Sequence, residues 1–448
     1  MTIILPDNVA YILNTLNANN FEAYIVGGCV RDSILGLTPQ DWDITTNATP
    51  DEIMLCFKNH KLITAGVKHG TVGVIIDKSV YEITTFRIDG DYTDNRHPES
   101  VTFSKNIESD LSRRDFTVNA MAYNPEKGLI DMFGGAEDLN YNAIRCVGDA
   151  DKRFKEDALR ILRALRFAST YDFTIEIKTS DAIFNNRLLL NNISEERIAS
   201  EFNKLICGES AQYILNRYRR VISTFIPEIE IMFNYNQNNP HHNRSLWKHT
   251  TSALKRVDSD LILRLTMFFH DVGKPMAQTT DEITGYSHFK GHNKFSVAIA
   301  ESVLKRLKYS NEIIDTVKTL ILYHDVRLSD NRKQIKRLLS KIGEKNFRYL
   351  LKIQKADILA QSTYLREEKL HKYSQSVAIF EQIIKDNECL NLKDLAINGS
   401  NLIHIGITKG EDIGKTLKYL LLKVIDDELP NENNILIEEA KNFNNIIQ

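Results

Sequence analysis

The sequence predicts an α+β protein: a small head built on a mixed β-sheet, followed by an all-α neck, body and tail. Two observations carry that class. The strand-like runs, a short apolar one at Tyr24 and longer ones at Gly70–Asp77 and Val80–Arg87, all come early. Arg153–Thr170 and the stretch from Leu339 to Gln448 read as helix. At 448 residues the chain is also too long for one ordinary core, so two to four domains are expected.

Composition narrows the class. Apolar residues make up 42% and charged residues 26% of the chain, the balance of a water-soluble globular protein. No apolar run approaches the roughly 18–20 residues needed to cross a bilayer. The opening MTIILPDNVAYILNTL has no basic stretch ahead of its apolar residues, which argues against a signal peptide. Five scattered cysteines (Cys29, Cys56, Cys146, Cys207, Cys389) show neither metal nor disulfide spacing, as suits a reducing cytoplasm. With a net charge of −2, any nucleic-acid surface must be a local patch.

The elements follow in order. Asp7–Asn19 is patterned as an amphipathic helix leading into the strand at Tyr24. Thr49-Pro50-Asp51-Glu52 marks a helix start, with Thr49 as N-cap and Pro50 at the first helical position. The two β-branched runs, joined at Lys78-Ser79, form a hairpin that extends the sheet. Asp89–Asp110 is polar and aperiodic and reads as a long mobile loop, a kind usually functional or disordered. Arg153–Thr170 is one strong helix, and Ser194-Glu195-Glu196-Arg197 opens another in the manner of a capping box. The asparagine-rich Asn234–Arg244 is the best candidate linker.

The chemistry concentrates in YIVGGCVRDSILGLTPQDWDITT, residues 24–46. Carboxylates two apart on a strand share one face, so Asp41 and Asp43 can hold divalent cations through oxygen. Glycines at Gly27-Gly28 let backbone N–H groups approach a phosphate at a helix start, with Arg31 as a clamp. A phosphate cradle beside a carboxylate metal site suits phosphoryl or nucleotidyl transfer. Either feature alone is common by chance.

Together, Gly27-Gly28-x-Val30-Arg31-Asp32 and Asp41-x-Asp43 resemble the signature of the class II tRNA nucleotidyltransferase and bacterial poly(A) polymerase family. Further strings in the same order extend the resemblance over roughly residues 20–205. The polar loop with Asp91 and Arg96 resembles the family's flexible loop. Arg113-Arg114-Asp115 resembles its second motif, Asp131–Arg145 its third, Glu156-Asp157-x-x-Arg160 its nucleotide-recognition motif, and Ser194–Ile198 its last. The resemblance implies Mg²⁺ at Asp41 and Asp43 as the catalytic residues. It implies triphosphate contacts from Gly28, Arg31 and Arg114, and base recognition by Asp157 and Arg160 with support from Arg163 and Arg166.

Base recognition has a chemical rationale. Cytosine and adenine both present an exocyclic amine beside a ring-nitrogen acceptor, so an aspartate can accept from one while an arginine donates to the other. Uracil and guanine mismatch both contacts, and each buried polar group left unpaired costs about 1–3 kcal/mol.

Beyond the linker the histidines cluster: His249, His270-Asp271, His288, His292 and His324-Asp325. The string Phe269–Pro275 resembles the HD phosphohydrolase superfamily, which implies a second divalent metal on His249, His270, Asp271 and Asp325. His288, His292 and His324 are further ligands or phosphate contacts on this reading. Near the C-terminus, Ala396–Ser400 and Gly406–Gly414, with Lys409 and Lys415, resemble a tRNA-contacting tail.

The expected organisation is therefore a catalytic head at 1–145, a helical neck at 146–233, an HD module at 245–345 and a tail at 346–448. The expected activity is template-independent addition of CCA to a tRNA 3′ end from CTP and ATP, with tRNA as partner and no membrane. An A-adding enzyme or a poly(A) polymerase is the nearest alternative. An HD hydrolase that uses the head only to bind RNA is the alternative from another class. Oligomeric state is not legible in the sequence.

Overall fold

The computed structural model describes residues 2–90, 92, 100–241, 244–328 and 330–447. The chain divides into two compact units, Met1–Pro227 and Glu228–Gln448.

The first unit is built on a seven-stranded sheet of order β3-β4-β5-β2-β1-β8-β9. Its strands are β1 (Ala23–Val26), β2 (Ile44–Thr46), β3 (Lys61–Ile63), β4 (Thr71–Ile76), β5 (Ser79–Thr85), β8 (Met121–Asn124) and β9 (Gly128–Asp131). Only β2 and β5 pair in parallel, at Ile44↔Ile83, so the sheet is mixed as expected. β1, an apolar Ala-Tyr-Ile-Val run, and β2 are buried throughout, the two threonines of β2 hydrogen-bonding Thr84 O, Asp110 and Glu22 O. α1 (Asp7–Ala18) buries Val9, Ile12, Leu13 and Leu16, the i, i+3, i+4 stripe of an amphipathic helix.

Local signals account for several elements. Thr49 caps α3 (Pro50–Cys56), accepting from Glu52 N while Glu52 accepts from Thr49 N at 2.7 Å: a full capping box. The β4–β5 hairpin forms, but its turn is Asp77-Lys78, one residue earlier than expected. Both residues have positive φ (49° and 68°), which the right-handed twist of a two-residue hairpin favours. Ser194, by contrast, precedes its helix without a side-chain cap bond.

Part of the expected mobile loop is ordered. β6 (Arg87–Asp89) and β7 (Val101–Phe103) pair as a ribbon, and α4 (Ile107–Ser112) is capped by Asn106. Asp91 and Arg96 lie outside the described residues.

The helical part of the first unit comprises α5 (Gly135–Asn140), α6 (Ala150–Glu156), α7 (Leu159–Tyr171), α8 (Ile177–Asn186), α9 (Glu195–Ile206), α10 (Ala211–Arg217) and α11 (Arg219–Phe225). The single helix expected over Arg153–Thr170 is thus two. Asp157 breaks it with extended backbone (φ −135°, ψ 103°), and its Oδ1 accepts from Leu159 N at 3.0 Å to start α7. An aspartate offers the backbone this alternative to continued helix.

The second unit is helical. It holds α12 (Leu246–Lys255), α13 (Leu261–Phe269), α14 (His292–Arg306), α15 (Asn311–Tyr323) and α16 (Arg332–Ala360), the last kinked at Gly343 (φ 78°). There follow α17 (Arg366–Lys385), α18 (Gly399–His404), α19 (Gly410–Ile425) and α20 (Asn433–Ile447). The asparagine-rich stretch expected as a linker belongs to this unit. Gln237 is fully buried, and Asn238 and Asn239 donate to the carbonyls of Gly285 and Ser287 at 2.8 and 3.0 Å. No helix among the described residues is long and apolar enough to cross a membrane.

Candidate active site

Asp41 and Asp43 stand in the extended segment that runs into β2, rather than on a strand proper. Asp43 is tied to the sheet by its backbone, its carbonyl accepting from Val26 N at 3.0 Å. Both side chains stay open to solvent. Crowding by the surrounding protein and the neighbouring Asp41 charge raise the Asp43 carboxyl above its ordinary value, and Arg114 pulls it back. Two carboxylates that feel one another at a solvent-reachable spot fit a divalent cation, with water and phosphate oxygens completing its shell.

Gly27 has φ 79°, and a Cβ there would lie 2.9 Å from Arg114 Nη1. The glycine therefore admits both the backbone bend and the arginine. At Gly28, which begins α2 (Gly28–Ile34), a Cβ would make only an ordinary 3.6 Å contact with Arg31. The steric demand thus falls on the first glycine of the pair. Arg114 Nη2 pairs with the buried Asp110 at 3.2 Å, while its Nε has no hydrogen-bond partner among the described residues. Burial would raise the Asp110 carboxyl, but Arg114 and Arg113 outweigh it and hold it low.

Arg31 is buried and committed. Its Nη1 donates to Asn119 Oδ1 (2.6 Å), Nη2 to Tyr171 (2.6 Å) and Nε to Asp32 (2.8 Å). Asn119 in turn donates to Asp115 (3.1 Å), which pairs with Arg163 at 2.6 Å. Phe167 lies beneath three guanidinium groups, 3.9 Å from Arg166, 5.0 Å from Arg31 and 5.3 Å from Arg163. Arg166 also pairs with Glu201 on α9 at 3.1 Å.

Asp157 and Arg160 flank the α6–α7 break. Arg160 is held by Glu156 (2.9 Å) and donates to the carbonyls of Arg113 (2.9 Å) and Arg153 (3.3 Å). Asp157 faces Arg197 at 3.4 Å. Sequence reasoning assigned no role to Asn119, Phe167, Tyr171 or Glu201. They come from three separate elements, the turn at Thr117–Asn119, α7 and α9, so no local spacing in the sequence links them.

In the second unit, His249 of α12, His270 and Asp271 after α13, and Asp357 of α16 present ligand atoms within 4.8 Å of one another. Asp271 also joins His292 and His324 in a second such group. The expected Asp325 is exposed and stands outside both groups: the second carboxylate is Asp357. His288 is exposed and also lies outside them. Burial alone would raise both carboxyls and lower His270. Mutual charge and hydrogen bonding among them, with Lys274 beside Asp271, outweigh it, holding Asp271 and Asp357 well below the usual range and His270 above its own.

Comparison with known proteins agrees with this geometry. Residues 23–145 match the family described as poly A polymerase head domain. Residues 172–230 match "Probable RNA and SrmB-binding site of polymerase A", and residues 278–440 match tRNA nucleotidyltransferase domain 2. The chain is 35% identical over 436 residues to a CCA-adding enzyme of Latilactobacillus sakei, covering 96% of each. It is 49% identical to one from Geobacillus thermodenitrificans over 217 residues, 48% of this chain and 53% of that one. Its fold matches the Bacillus stearothermophilus CCA-adding enzyme solved with CTP (TM-score 0.71, 26% identity, 99% of both chains). It also matches the Thermotoga maritima enzyme complexed with tRNA (TM-score 0.62, 22% identity, 99% of this chain and all of that one). Identity at this level along nearly the whole length of both chains settles kinship, and the chain belongs to the CCA-adding enzyme family.

Proposed function

We infer that this enzyme adds CCA to the 3′ end of tRNA from CTP and ATP, releasing pyrophosphate, in the cytoplasm. The observation that carries the reading is the near-full-length match to CCA-adding enzymes, in a chain that keeps Asp41, Asp43 and Arg114 together. A divalent cation at Asp41 and Asp43, Mg²⁺ on this reading, would ease deprotonation of the terminal hydroxyl and offset phosphate charge. Gly27 and Gly28 leave room for a triphosphate, and the unspent Nε of Arg114 is a donor for it. Arg31 backs that wall through Asn119 and Tyr171. Arg160, fixed by Glu156 and two carbonyls, offers a pre-set plane for a base edge, with Asp157 beside it. Lys409 and Lys415, at the start of α19, are the proposed contacts to tRNA phosphates.

Single-nucleotide incubations test the reading. A tRNA lacking CCA should take CTP twice and then ATP. Addition of ATP alone, once or repeatedly, would make the protein an A-adding enzyme or a poly(A) polymerase. Asp157→Ala and Arg160→Ala should also relax discrimination against UTP and GTP by roughly 5- to 150-fold. Uniform slowing of all four nucleotides would remove these residues from base reading.

A second reading concerns the buried cluster. His249, His270, Asp271 and Asp357 fit a divalent metal, because their ligand atoms lie within 4.8 Å of one another and His270 Nδ1 is tied to Met267 O at 2.8 Å. That bond leaves the other nitrogen facing the carboxylates as a ligand.

A further inference from the structure

Asp110 of α4 is a fully buried carboxylate with an arginine on each oxygen. Its Oδ1 accepts from Nε and Nη2 of Arg113, at 3.1 and 2.6 Å, a two-pronged grip that fixes the relative plane of the two groups. Its Oδ2 accepts from Nη2 of Arg114 at 3.2 Å and from Thr45 Oγ1 at 3.3 Å. Thr45 belongs to β2, two residues after Asp43, so the carboxylate is anchored to the strand that carries on from the acidic pair. Among the described residues Arg114 has no other acidic partner, and Arg113 has only Asp89, at 3.9 Å.

The two arginines lead to different parts of the site. Arg114 points Nη1 at Gly27, where a Cβ would lie 2.9 Å away, and its Nε has no hydrogen-bond partner among the described residues. Arg113 reaches the base-reading side through its backbone, its carbonyl accepting from Nη2 of Arg160 at 2.9 Å. We propose that Asp110 is a positioning residue for nucleotide addition, presetting Arg114 for the triphosphate through Oδ2 and the Arg113 carbonyl for Arg160 through Oδ1. The inference rests on the roles given above to Arg114 and Arg160. A long side chain left loose must be ordered when its ligand binds, and a buried carboxylate that fixes it beforehand removes that cost. Asp110 lies buried behind both arginines, so it acts through them and not on the reacting atoms. With its charge gone, two neighbouring guanidinium groups lose the acid between them, and each turns away to water or to another acceptor. One buried charge thereby couples the two ends of the bound nucleotide, and its removal loosens triphosphate and base together.

The test compares full-length Asp110→Asn with the parent. Asparagine keeps the shape and one acceptor, but it presents an N–H₂ group to one of the two arginines. Calorimetry with CTP and with CMP, in Mg²⁺ and without tRNA, reads the triphosphate half. CTP affinity should fall roughly tenfold while CMP affinity stays within about twofold. Equal loss for both nucleotides, or none, would overturn that half and leave Asp110 as a support of the fold. Arg114→Gln is the reference, and the double variant should bind CTP no more weakly than the weaker single one. Additive losses would mean that Asp110 does not act through Arg114. Full CTP affinity in Arg114→Gln would overturn the triphosphate role of that arginine together with this inference. For the base half, kcat/KM for CTP relative to UTP, on a tRNA lacking CCA, should fall roughly tenfold in Asp110→Asn. An unchanged ratio would sever the link to Arg160. Circular dichroism reports whether the variant folds. If it does not, Arg113→Gln, which releases Oδ1 alone, takes its place, and parent-like ratios of CTP to CMP affinity and of CTP to UTP use there would overturn the coupling.

Discussion

Arg31 and Tyr171, 140 positions apart, are joined by a 2.6 Å hydrogen bond, with the guanidinium 4.6 Å from the centre of the tyrosine ring. The bond ties the end of α7 to the last turn of α2. Tyr171 also donates to Asp32 at 3.0 Å, so one hydroxyl holds both members of an ion pair. Tyr171→Phe keeps the ring and removes the hydroxyl. It should raise KM for CTP and ATP by roughly tenfold, the equivalent of about 1.5 kcal/mol for a bond to a charged group. KM for tRNA should stay within a factor of about two. A fall in stability with unchanged nucleotide KM would assign the tyrosine to the fold alone.

Gly27→Ala tests the close approach of Arg114. The new methyl group must tolerate φ 79° and sit 2.9 Å from Nη1. We expect a loss of about 1–2 kcal/mol in stability from the backbone alone. Nucleotide affinity, measured by calorimetry, should fall further because the arginine must move. Gly28→Ala, with only a 3.6 Å contact to accommodate, should be the milder change.

Asp115 supplies a pH signature. Burial would raise its carboxyl, but Arg163, Asn119 and Arg160 carry it down to about 2 from an ordinary 3.8. At about 1.4 kcal/mol for each tenfold change, the charged form contributes about 2 kcal/mol. That contribution is complete above the unfolded value near 3.8 and disappears as pH falls toward 2. Asp115→Asn should therefore lower stability to urea by about 2 kcal/mol at pH 7, with the gap to the parent shrinking below pH 4. A gap independent of pH would show that packing, not charge, is lost.

Asp41→Asn or Asp43→Asn should abolish nucleotide addition, by at least about a hundredfold, while tRNA binding measured by filter retention persists. Neither side chain is buried in the core, so circular dichroism and melting should match the parent. Addition at the parent rate under saturating Mg²⁺ would move the catalytic centre elsewhere.

Much of this site is legible in sequence because short-range rules govern it. The capping box at Thr49 and the arginine pair at 113–114, which grips Asp110, act on residues a few positions away. The α6–α7 break was hidden because apolar periodicity runs straight through Asp157, and only a local side-chain bond ends the helix. In the second unit, Asp325 is expected as the later aspartate that the resemblance implies after His249 and His270-Asp271. The fold uses His324 and turns Asp325 to solvent, because one carboxylate on α16 already fills that place. Asp357 lies well past the Gly343 kink, in a stretch with no pattern pointing toward histidines. The partners of Arg31 were equally silent: Asn119 and Tyr171 look like ordinary polar punctuation of apolar segments.

The three guanidinium groups around Phe167 each keep an acidic companion: Arg31 with Asp32, Arg163 with Asp115, and Arg166 with Glu201. The seam where α7 meets α2, Asp115 and α9 is therefore held by linked charges as well as by apolar packing. Hydration of charged groups becomes less favourable on heating, so the cost of keeping them from water falls with temperature. A seam of this kind loosens less on warming than one of hydrocarbon alone. Lysine in place of any of the three arginines would preserve the charge count and lose the flat stacking on Phe167.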